Sequence, residues 1–284
     1  MAKRKMLDGI AYVFIGLSAG ISVALLLGIL FYVLGKGVGT INWQFLTTVP
    51  SSLKGTFGIV GNLLNTLYII IITLLLATPI GVGSAIYLNE YARPGKLVRF
   101  IEFTTETLSG IPSIIFGLFG MVFFGNLFHL GYSILTGALT LTLMVLPLIT
   151  RNTQEALKTV PESYRTGAMG IGATKWYMIR TVLLPSAMPG MITGVILSIG
   201  RIVGESAALL FTAGSGYLLP KSAMGYLDKV LEPGGTLTIQ LYLCMSKAEY
   251  DKAFGIALVL LVIVLCINAL TKVLARQYDV TRKE

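Results

Sequence analysis

Residues 107–150 read TLSGIPSIIFGLFGMVFFGNLFHLGYSILTGALTLTLMVLPLIT, and none of these 44 residues carries a formal charge. A helix needs roughly 20 mostly apolar residues to cross a bilayer, so the stretch is long enough for two crossings. The residues from Gly125 to Gly131, near its middle, are typical of a turn. The stretch therefore predicts two membrane helices joined by a tight turn, and an all-α integral membrane fold.

The composition of the whole chain supports this prediction. Of its 284 residues, 55% are hydrophobic and 12% are charged, and the mean hydropathy is +0.80. Soluble proteins carry about 25% charged residues, and half of that cannot cover a surface that faces water. We expect one transmembrane domain over residues 1–284. Apolar runs place its six crossings at about residues 9–35, 61–89, 107–128, 132–150, 187–213 and 253–273.

Residues suited to metal or nucleotide binding are scarce. One histidine, His129, and two cysteines, Cys244 and Cys266, cannot supply the ligands of a structural zinc or iron–sulfur site. The chain also lacks the G-x-x-x-x-G-K-[ST] motif that binds nucleotide phosphates. We therefore expect no metal and no cofactor in this chain.

Lysine and arginine residues indicate the orientation of the chain. With the N-terminus in the cytoplasm, 15 of them lie inside, 6 lie outside, and Arg201 lies within the membrane. Basic loops stay on the cytoplasmic side of a membrane, so both termini are predicted to be cytoplasmic. The positive charge is spread over four cytoplasmic segments as a topological signal, and we expect no nucleic-acid partner.

Two segments outside the predicted crossings are long enough for structure of their own. The cytoplasmic segment 151–185 has helical patterns separated by Pro161 and Gly172, namely Glu155–Val160, Glu162–Met169 and Ala173–Leu183. Such an element can lie passively on the membrane or present a knob to a cytoplasmic partner, and its pattern fits both. In the outer segment 214–252, the apolar positions in Ser222–Leu231 and Leu237–Met245 fit either short helices near the outer surface or simple connectors.

The cytoplasmic segment also resembles the coupling-loop signature of binding-protein-dependent ABC importer permeases. That signature reads Glu-Ala-Ala, three residues, Gly, nine residues, Ile, one residue, Leu-Pro. Here the spacing is kept, with Val182 at the Ile position and Thr166 and Gly167 in place of Glu and Ala. The resemblance implies the type I ABC importer permease architecture, with a coupling element that contacts an ATPase subunit. The residues that it implies for this contact are Glu162, Arg165, Thr166, Gly167, Ala168, Gly172, Lys175, Trp176, Leu184 and Pro185.

Three further stretches, residues 65–92, 109–118 and 200–212, resemble the A-type permease subunits of phosphate-specific ABC importers. This resemblance implies a transport subunit of the bacterial cytoplasmic membrane that translocates inorganic phosphate and has no ATPase site of its own. It also implies two cytoplasmic ATPase subunits that bind ATP, a homologous permease subunit as partner in a heterodimer, and an outer phosphate-binding protein.

Arg201 and Glu205 are the candidate substrate residues. They are four residues apart on the predicted fifth crossing, where two side chains share a helix face and can pair. A charge at membrane depth is costly, so both residues should have a role. Either they form a buried ion pair that fixes helix packing, or Arg201 binds the anion and Glu205 neutralises the charge of Arg201 when no anion is present. The resemblance favours the second role.

Uncharged polar groups at membrane depth form a weaker set of pathway candidates: Asn65, Thr66, Ser109 and Ser113. Such groups often hydrogen-bond to their own helix or to a neighbouring one instead. Three prolines within the predicted crossings, Pro79, Pro112 and Pro147, predict kinks.

Other functions remain as alternatives. A permease for another oxyanion or small solute would need the same architecture. A membrane enzyme acting on phosphorylated lipids is disfavoured because no His, Asp and Glu cluster lies at membrane depth. An ion channel or secondary carrier would have no use for a coupling element.

Overall fold

The computed structural model describes residues 2–51, 55–220, 222 and 224–277, and for residues 2–7 and 274–277 it describes the backbone alone. Lys54, Lys221, Arg282 and Lys283, which contribute to the predicted topology, lie outside the described residues, as does residue 223 of the outer stretch Ser222–Leu231.

The described part of the chain is helical, and its one strand-like feature is an isolated bridge between Ser51 and Thr56. The α-helices are α1 (Ala2–Gly37), α2 (Trp43–Thr47), α3 (Val60–Ile86), α4 (Lys96–Gly110), α5 (Ser113–Gly120), α6 (Ile134–Lys158), α7 (Glu162–Gly170), α8 (Lys175–Met178), α9 (Leu184–Gly204), α10 (Ala207–Thr212), α11 (Gly225–Asp228), α12 (Leu237–Ser246) and α13 (Tyr250–Gln277). Three π-helical segments extend them: Tyr87–Tyr91 after α3, Met121–Leu127 after α5, and Ile179–Leu183 between α8 and α9. Short 3-10 turns follow α1 at Val38–Thr40 and α11 at Lys229–Leu231.

Among the described residues, five helices are long and apolar enough to cross a membrane: Asp8–Thr40, Val60–Tyr91, Ile134–Lys158, Lys175–Gly204 and Tyr250–Val273. The bent pair of α4 with α5 and its π-helical extension makes a sixth candidate. The prediction of an all-α integral membrane fold with six crossings is therefore confirmed for these residues.

The third predicted crossing, residues 107–128, differs from the structure at its start. Thr107 to Gly110 belong to α4, and the axis turns by 102° between Gly110 and Ser113 before the apolar part continues. Pro112 causes the break, because proline has no N–H to donate and disfavours the helical conformation at the residue before it. Ile111 is accordingly extended, with φ −72° and ψ 133°. By contrast, α3 and α6 continue through Pro79 and Pro147.

The helix that contains most of the fifth predicted crossing, residues 187–213, begins and ends earlier in the chain than that range. The helical rod begins at Lys175, because α8 runs through the π-helical segment Ile179–Leu183 directly into α9. It ends at Gly204, because Glu205 is extended with φ −79° and ψ 127°. The separate helix α10 then follows.

The core of the fold surrounds α6, which packs against α3, α5 and α9. The buried residues of this region form one apolar cluster, with Leu141, Val145 and Ile149 of α6 among its buried members. Close packing of α6 against α3 requires a small residue at Gly81, where a Cβ atom would lie 2.8 Å from the Cγ2 atom of Ile149. At one edge of the bundle, α1 packs along α13 and is otherwise exposed from residue 8 to residue 29.

The segment 214–252 closes one end of the bundle. It contains α11 and the longer helix α12, which packs along α13 with Leu237, Ile239 and Cys244 buried. Helices therefore lie in both of the stretches whose apolar positions fit short helices, although α11 and the 3-10 turn after it start at Gly225. Tight backbone contacts seal the segment, since Gly234 N–H donates to the Ala213 carbonyl at 2.8 Å and Gly235 N–H to the Gly216 carbonyl at 2.7 Å.

Candidate functional site

The helix break at Gly204 separates the two residues that the sequence predicts as a pair. Glu205 Oε1 accepts a hydrogen bond from the backbone N–H of Ala208 at 3.0 Å, and the Glu205 carbonyl accepts one from Thr238 Oγ1 at 2.8 Å. The predicted pairing of Arg201 with Glu205 is therefore wrong, because the two residues no longer share a helix. No carboxylate of the described residues lies within 4.0 Å of the Arg201 guanidinium.

Arg201 instead lies on the wall of a cavity of about 370 Å³ between the end of α3 and helices α4, α6 and α9, which we call the charged cavity. Ser109 also lines it, and Ser109 Oγ donates to the Glu106 carbonyl at 2.7 Å. The complete lining is Leu88, Glu102, Thr105, Glu106, Ser109, Met144, Pro147, Leu148, Arg151, Gln154, Glu155, Lys158 and Arg201.

The charged cavity has three cationic and three anionic side chains, and Arg151 is paired with two of the anionic ones. Its Nη1 atom lies 3.6 Å from Glu106 Oε1, and its Nε atom lies 3.5 Å from Glu155 Oε1. The Arg151 side chain is 59% exposed, and exposed ion pairs contribute little to stability, so these contacts are easily exchanged. The acidic neighbours Glu106 and Glu155 were not predicted as site residues.

The other polar pathway candidates lie elsewhere. Asn65 is fully buried, and its Nδ2 atom donates to the carbonyls of Gly216 at 2.8 Å and Gly235 at 3.1 Å. Thr66 Oγ1 accepts from the N–H of Leu237 at 3.0 Å. Both residues thus hold the segment 214–252 onto α3, and neither lines the charged cavity.

Asn62 and Ser113 also lie outside the lining of the charged cavity. Asn62 takes part in the same contact as Asn65, since its Nδ2 atom donates to the Gly235 carbonyl at 2.9 Å. Its position three residues before Asn65, on the same helix face, is the signal that could have identified it. Ser113 starts α5 beyond the bend and is not among the residues that line the charged cavity.

The coupling element consists of α7, a turn at Gly172, and α8. Gly172 has φ +88°, and its N–H donates to the Met169 carbonyl at 3.0 Å, while Ala173 N–H donates to the Ala168 carbonyl at 3.1 Å. These two bonds form a Schellman motif, which needs a left-handed residue that is usually glycine. The turn predicted from the position of Gly172 is therefore present. The first of the three helical patterns, Glu155–Val160, is not a separate helix, because its residues up to Lys158 are the last turn of α6.

The inner face of the coupling element is fixed to the rest of the chain. Arg165 Nη2 lies 3.0 Å from Glu90 Oε1 in the π-helical segment that ends α3. Lys175 donates to the Glu90 carbonyl, and its Nζ atom lies 4.8 Å from the centre of the Tyr91 ring. Arg165, predicted to contact an ATPase, thus points inward, whereas Lys175 reaches the Glu90 carbonyl but stays exposed. Glu90 lies within residues 65–92, which resemble the permease subunits of phosphate importers, but it was not predicted as a site residue.

The outer face of the coupling element is apolar and exposed. Ile171, at the turn, is 89% exposed, and Trp176 of α8 is also exposed. Tyr164 and Tyr177 are exposed as well, and so is Met169, which lines the pocket beside Glu90. Three other residues predicted for the ATPase contact are exposed, namely Glu162, Thr166 and Gly167, and so is Pro161 before them. Ala168 and Leu184 are partly buried and pack against a cluster of apolar residues that includes Leu157 and Met178. Pro185 lies at the start of α9.

At the opposite end of the bundle, a groove of about 450 Å³ is lined on one side by residues 50, 51 and 55–57 and on the other by the end of α12. Lys252 Nζ donates to Glu249 Oε1 at 2.7 Å and lies 4.7 Å from the centre of the Phe57 ring. The pKa of Glu249 is below its ordinary value, chiefly because of this hydrogen bond from Lys252.

Comparison with known proteins agrees with this geometry. Residues 77–280 match the family described as "Binding-protein-dependent transport system inner membrane component". The chain is 43% identical over 211 residues to "Probable ABC transporter permease protein YqgI" of Bacillus subtilis, which covers 74% of this chain and 72% of that protein. It is 32% identical over 266 residues to "Phosphate transport system permease protein PstA 2" of Mycobacterium bovis, which covers 93% of this chain and 86% of that protein.

A similar fold occurs in a solved structure of a "bacterial ABC transporter involved in the import of the acidic polysaccharide alginate", with a TM-score of 0.61, 16% identity, and coverage of 90% of this chain and 95% of that chain. At that identity the similarity concerns the fold alone. The family match over most of the chain and the two similar permeases lead to one conclusion. This protein belongs to the family of inner membrane components of binding-protein-dependent transport systems, the permease subunits of ABC transporters.

Proposed function

We propose that this chain is the permease subunit that carries inorganic phosphate through an ATP-driven importer of the bacterial cytoplasmic membrane. The position of Arg201 carries the proposal. Arg201 lines the charged cavity, and no carboxylate of the described residues lies within 4.0 Å of its guanidinium. A guanidinium offers several N–H donors to the oxygens of a phosphate. The name of the Mycobacterium bovis relative supports phosphate as the solute.

The carboxylates around the cavity supply the balance that a transport site needs. Glu102, Glu106 and Glu155 offset three cations, so an anion that contacts Arg201 is not held in a purely positive pocket. Arg151 can exchange one of its exposed carboxylate contacts for the anion at small cost. In this proposal these glutamates, rather than Glu205, prevent phosphate from binding too tightly.

The proposal also includes orientation and partners. In this proposal both termini, the coupling element and the mouth of the charged cavity lie on the cytoplasmic side, and the 15-to-6 distribution of basic residues supports this orientation. The exposed apolar face around Ile171 fits a groove of a cytoplasmic ATPase subunit. A homologous permease subunit would complete the pathway, and an outer binding protein would deliver phosphate.

The test is uptake by the assembled transporter in proteoliposomes, with its ATPase subunits, sister permease and binding protein. We expect ATP-dependent uptake of radiolabelled phosphate that exceeds the uptake of radiolabelled sulfate. The variant Arg201→Gln should lose the uptake of phosphate. Uptake of sulfate or of a neutral solute without phosphate would contradict the substrate assignment.

Orientation has a separate test. A cysteine introduced as Ser163→Cys lies on the exposed side of α7 and should react with an impermeant thiol reagent only from the cytoplasmic face. Reaction from the outer face of intact cells would show that the proposed topology is inverted.

A further inference from the structure

Three parts of the chain meet at the carboxylate and carbonyl of Glu90. The Glu90 side chain is 5% exposed, and its Oε1 atom accepts hydrogen bonds from Arg165 of α7 at 3.0 Å and from its neighbour Asn89 at 2.7 Å. The Glu90 carbonyl accepts a hydrogen bond from Lys175 of α8. Both arms of the coupling element are thus attached to one residue at the end of α3.

Arg165 extends the same contact to the end of α6. Its Nη1 atom donates to the Val160 carbonyl at 3.1 Å, and its Nη2 atom donates to the Leu157 carbonyl at 3.0 Å. Leu157 is in the last turn of α6 and Val160 lies two residues after that helix ends, so the guanidinium is fixed at the end of α6, where a basic side chain interacts favourably with carbonyl groups. The Arg165 side chain is 15% exposed, and its planar fork fixes α3, α6 and α7 relative to one another.

An apolar cluster beneath these polar contacts stiffens the region. It joins Ile86 of α3, Leu157 of α6, Met178 of α8 and Ile179 of the π-helical segment after α8, and all four are buried. The coupling element is therefore packed on its inner side, whereas its outer side around Ile171 is free in this chain. Movement of the outer side can therefore reach the bundle through these inner contacts as well as along the continuous helix from α8 into α9.

The π-helical segment that carries Glu90 also reaches the charged cavity. Leu88, two residues before Glu90, lines that cavity, while Asn89 and Glu90 face the coupling element. We infer that Glu90 is a positioning residue that transmits movement of the coupling element to the wall of the charged cavity. The inference rests on the proposed function only in taking the ATPase as the source of that movement.

Two variants and one control test this role in the assembled complex. Glu90→Gln keeps an oxygen acceptor but removes the buried one of the two carboxylate charges that contact Arg165, the other being the exposed Glu162 at 3.2 Å. Glu90→Asp keeps the charge on a shorter side chain. Glu249→Gln is the matched control, because it removes a carboxylate hydrogen-bonded to Lys252 at 2.7 Å at the other end of the bundle.

The measurement is hydrogen exchange of residues 162–178 and 86–92, with and without ATP and vanadate to trap the ATPase subunits. We expect trapping to change exchange in both segments of the parent and of Glu249→Gln. In Glu90→Gln, residues 162–178 should exchange on the order of tenfold faster without nucleotide, because a hydrogen bond to a charged group is lost. Trapping should then alter residues 162–178 but no longer 86–92, and Glu90→Asp should recover part of the response.

Two results would overturn the inference: unchanged exchange at residues 162–178 in Glu90→Gln, or a full trapping response at residues 86–92 in that variant. A parent complex whose residues 86–92 do not respond to trapping would overturn it as well. None of these measurements uses phosphate, so they are independent of the uptake experiment that tests the proposed function. Co-purification of the subunits establishes that each variant is assembled.

Discussion

Glu205 accepts a hydrogen bond from the backbone N–H of Ala208, with Oε1 3.0 Å from the nitrogen. The carboxylate therefore caps the first turn of α10, where an N–H group has no partner within the helix. This contact speaks against the ion-pair role that the sequence leaves open for Arg201, and the anion-binding role is the one that we propose. A guanidinium without its expected counter-ion is available to an anion, and Glu205 has a structural role of its own.

The first prediction separates these two roles by substitution. Arg201→Gln should abolish phosphate uptake in the assembled complex, because glutamine can donate hydrogen bonds but supplies no positive charge. Arg201→Lys should keep partial activity at best, since it loses the planar fork. The double variant Arg201→Gln/Glu205→Gln should be as inactive as Arg201→Gln. Recovery of uptake in the double variant would mean that the two residues act as an ion pair after all.

The second prediction concerns the turn of the coupling element. Gly172→Val places a β-branched residue at φ +88°, which costs at least about 1–2 kcal/mol and should disrupt the Schellman motif. We expect ATP hydrolysis that no longer drives uptake, in a complex that still assembles. Gly172→Asn should be milder because asparagine tolerates the left-handed conformation. Gly170→Ala is the control, since a Cβ atom there meets open space; normal coupling in Gly172→Val would refute this assignment.

The third prediction assigns Asn65 to stability rather than to substrate binding. Asn65→Ala removes the hydrogen bonds of a fully buried amide to the carbonyls of Gly216 and Gly235, and should destabilise the protein by about 1–3 kcal/mol. Thermal unfolding in detergent measures this loss, and the KM for phosphate should stay at the parental value. Asn126→Ala, at an exposed position, should leave the unfolding temperature unchanged. A raised KM with parental stability would place Asn65 in the pathway.

The fourth prediction is a stabilising substitution at the end of α12. Ala248 has φ +58°, and Glu249 N–H donates to the Cys244 carbonyl at 2.9 Å, so alanine occupies the left-handed position of a Schellman motif. Ala248→Gly should raise stability by about 0.5–1 kcal/mol, because glycine adopts this conformation without strain. Ala257→Gly, inside α13, should lower stability by about 1 kcal/mol. Equal effects of the two substitutions on the unfolding temperature would contradict the prediction.

The amino-acid sequence by itself determined the membrane class, the helical fold and the position of the coupling turn. These properties depend on local features: an apolar run such as residues 107–150 must form helices in lipid, because every backbone polar group there needs a partner within the chain. Gly172 likewise marks its own turn, since few other residues adopt φ +88° without strain. The spacing of the residues around Gly172, which matches the coupling-loop signature, then located the coupling element in the chain.

Only the tertiary structure decided which side chains share a site. Glu90 and Arg165 are 75 residues apart in the chain, and Arg151 meets Glu106 from another helix, so no local pattern predicts either contact. The break at Glu205 also escaped the sequence pattern, because an apolar run looks the same whether it forms one helix or two. Its position depends on hydrogen bonds from Ala208 and from Thr238 of α12. Contacts of this kind depend on how distant helices pack, and the chain acquires them only when it folds.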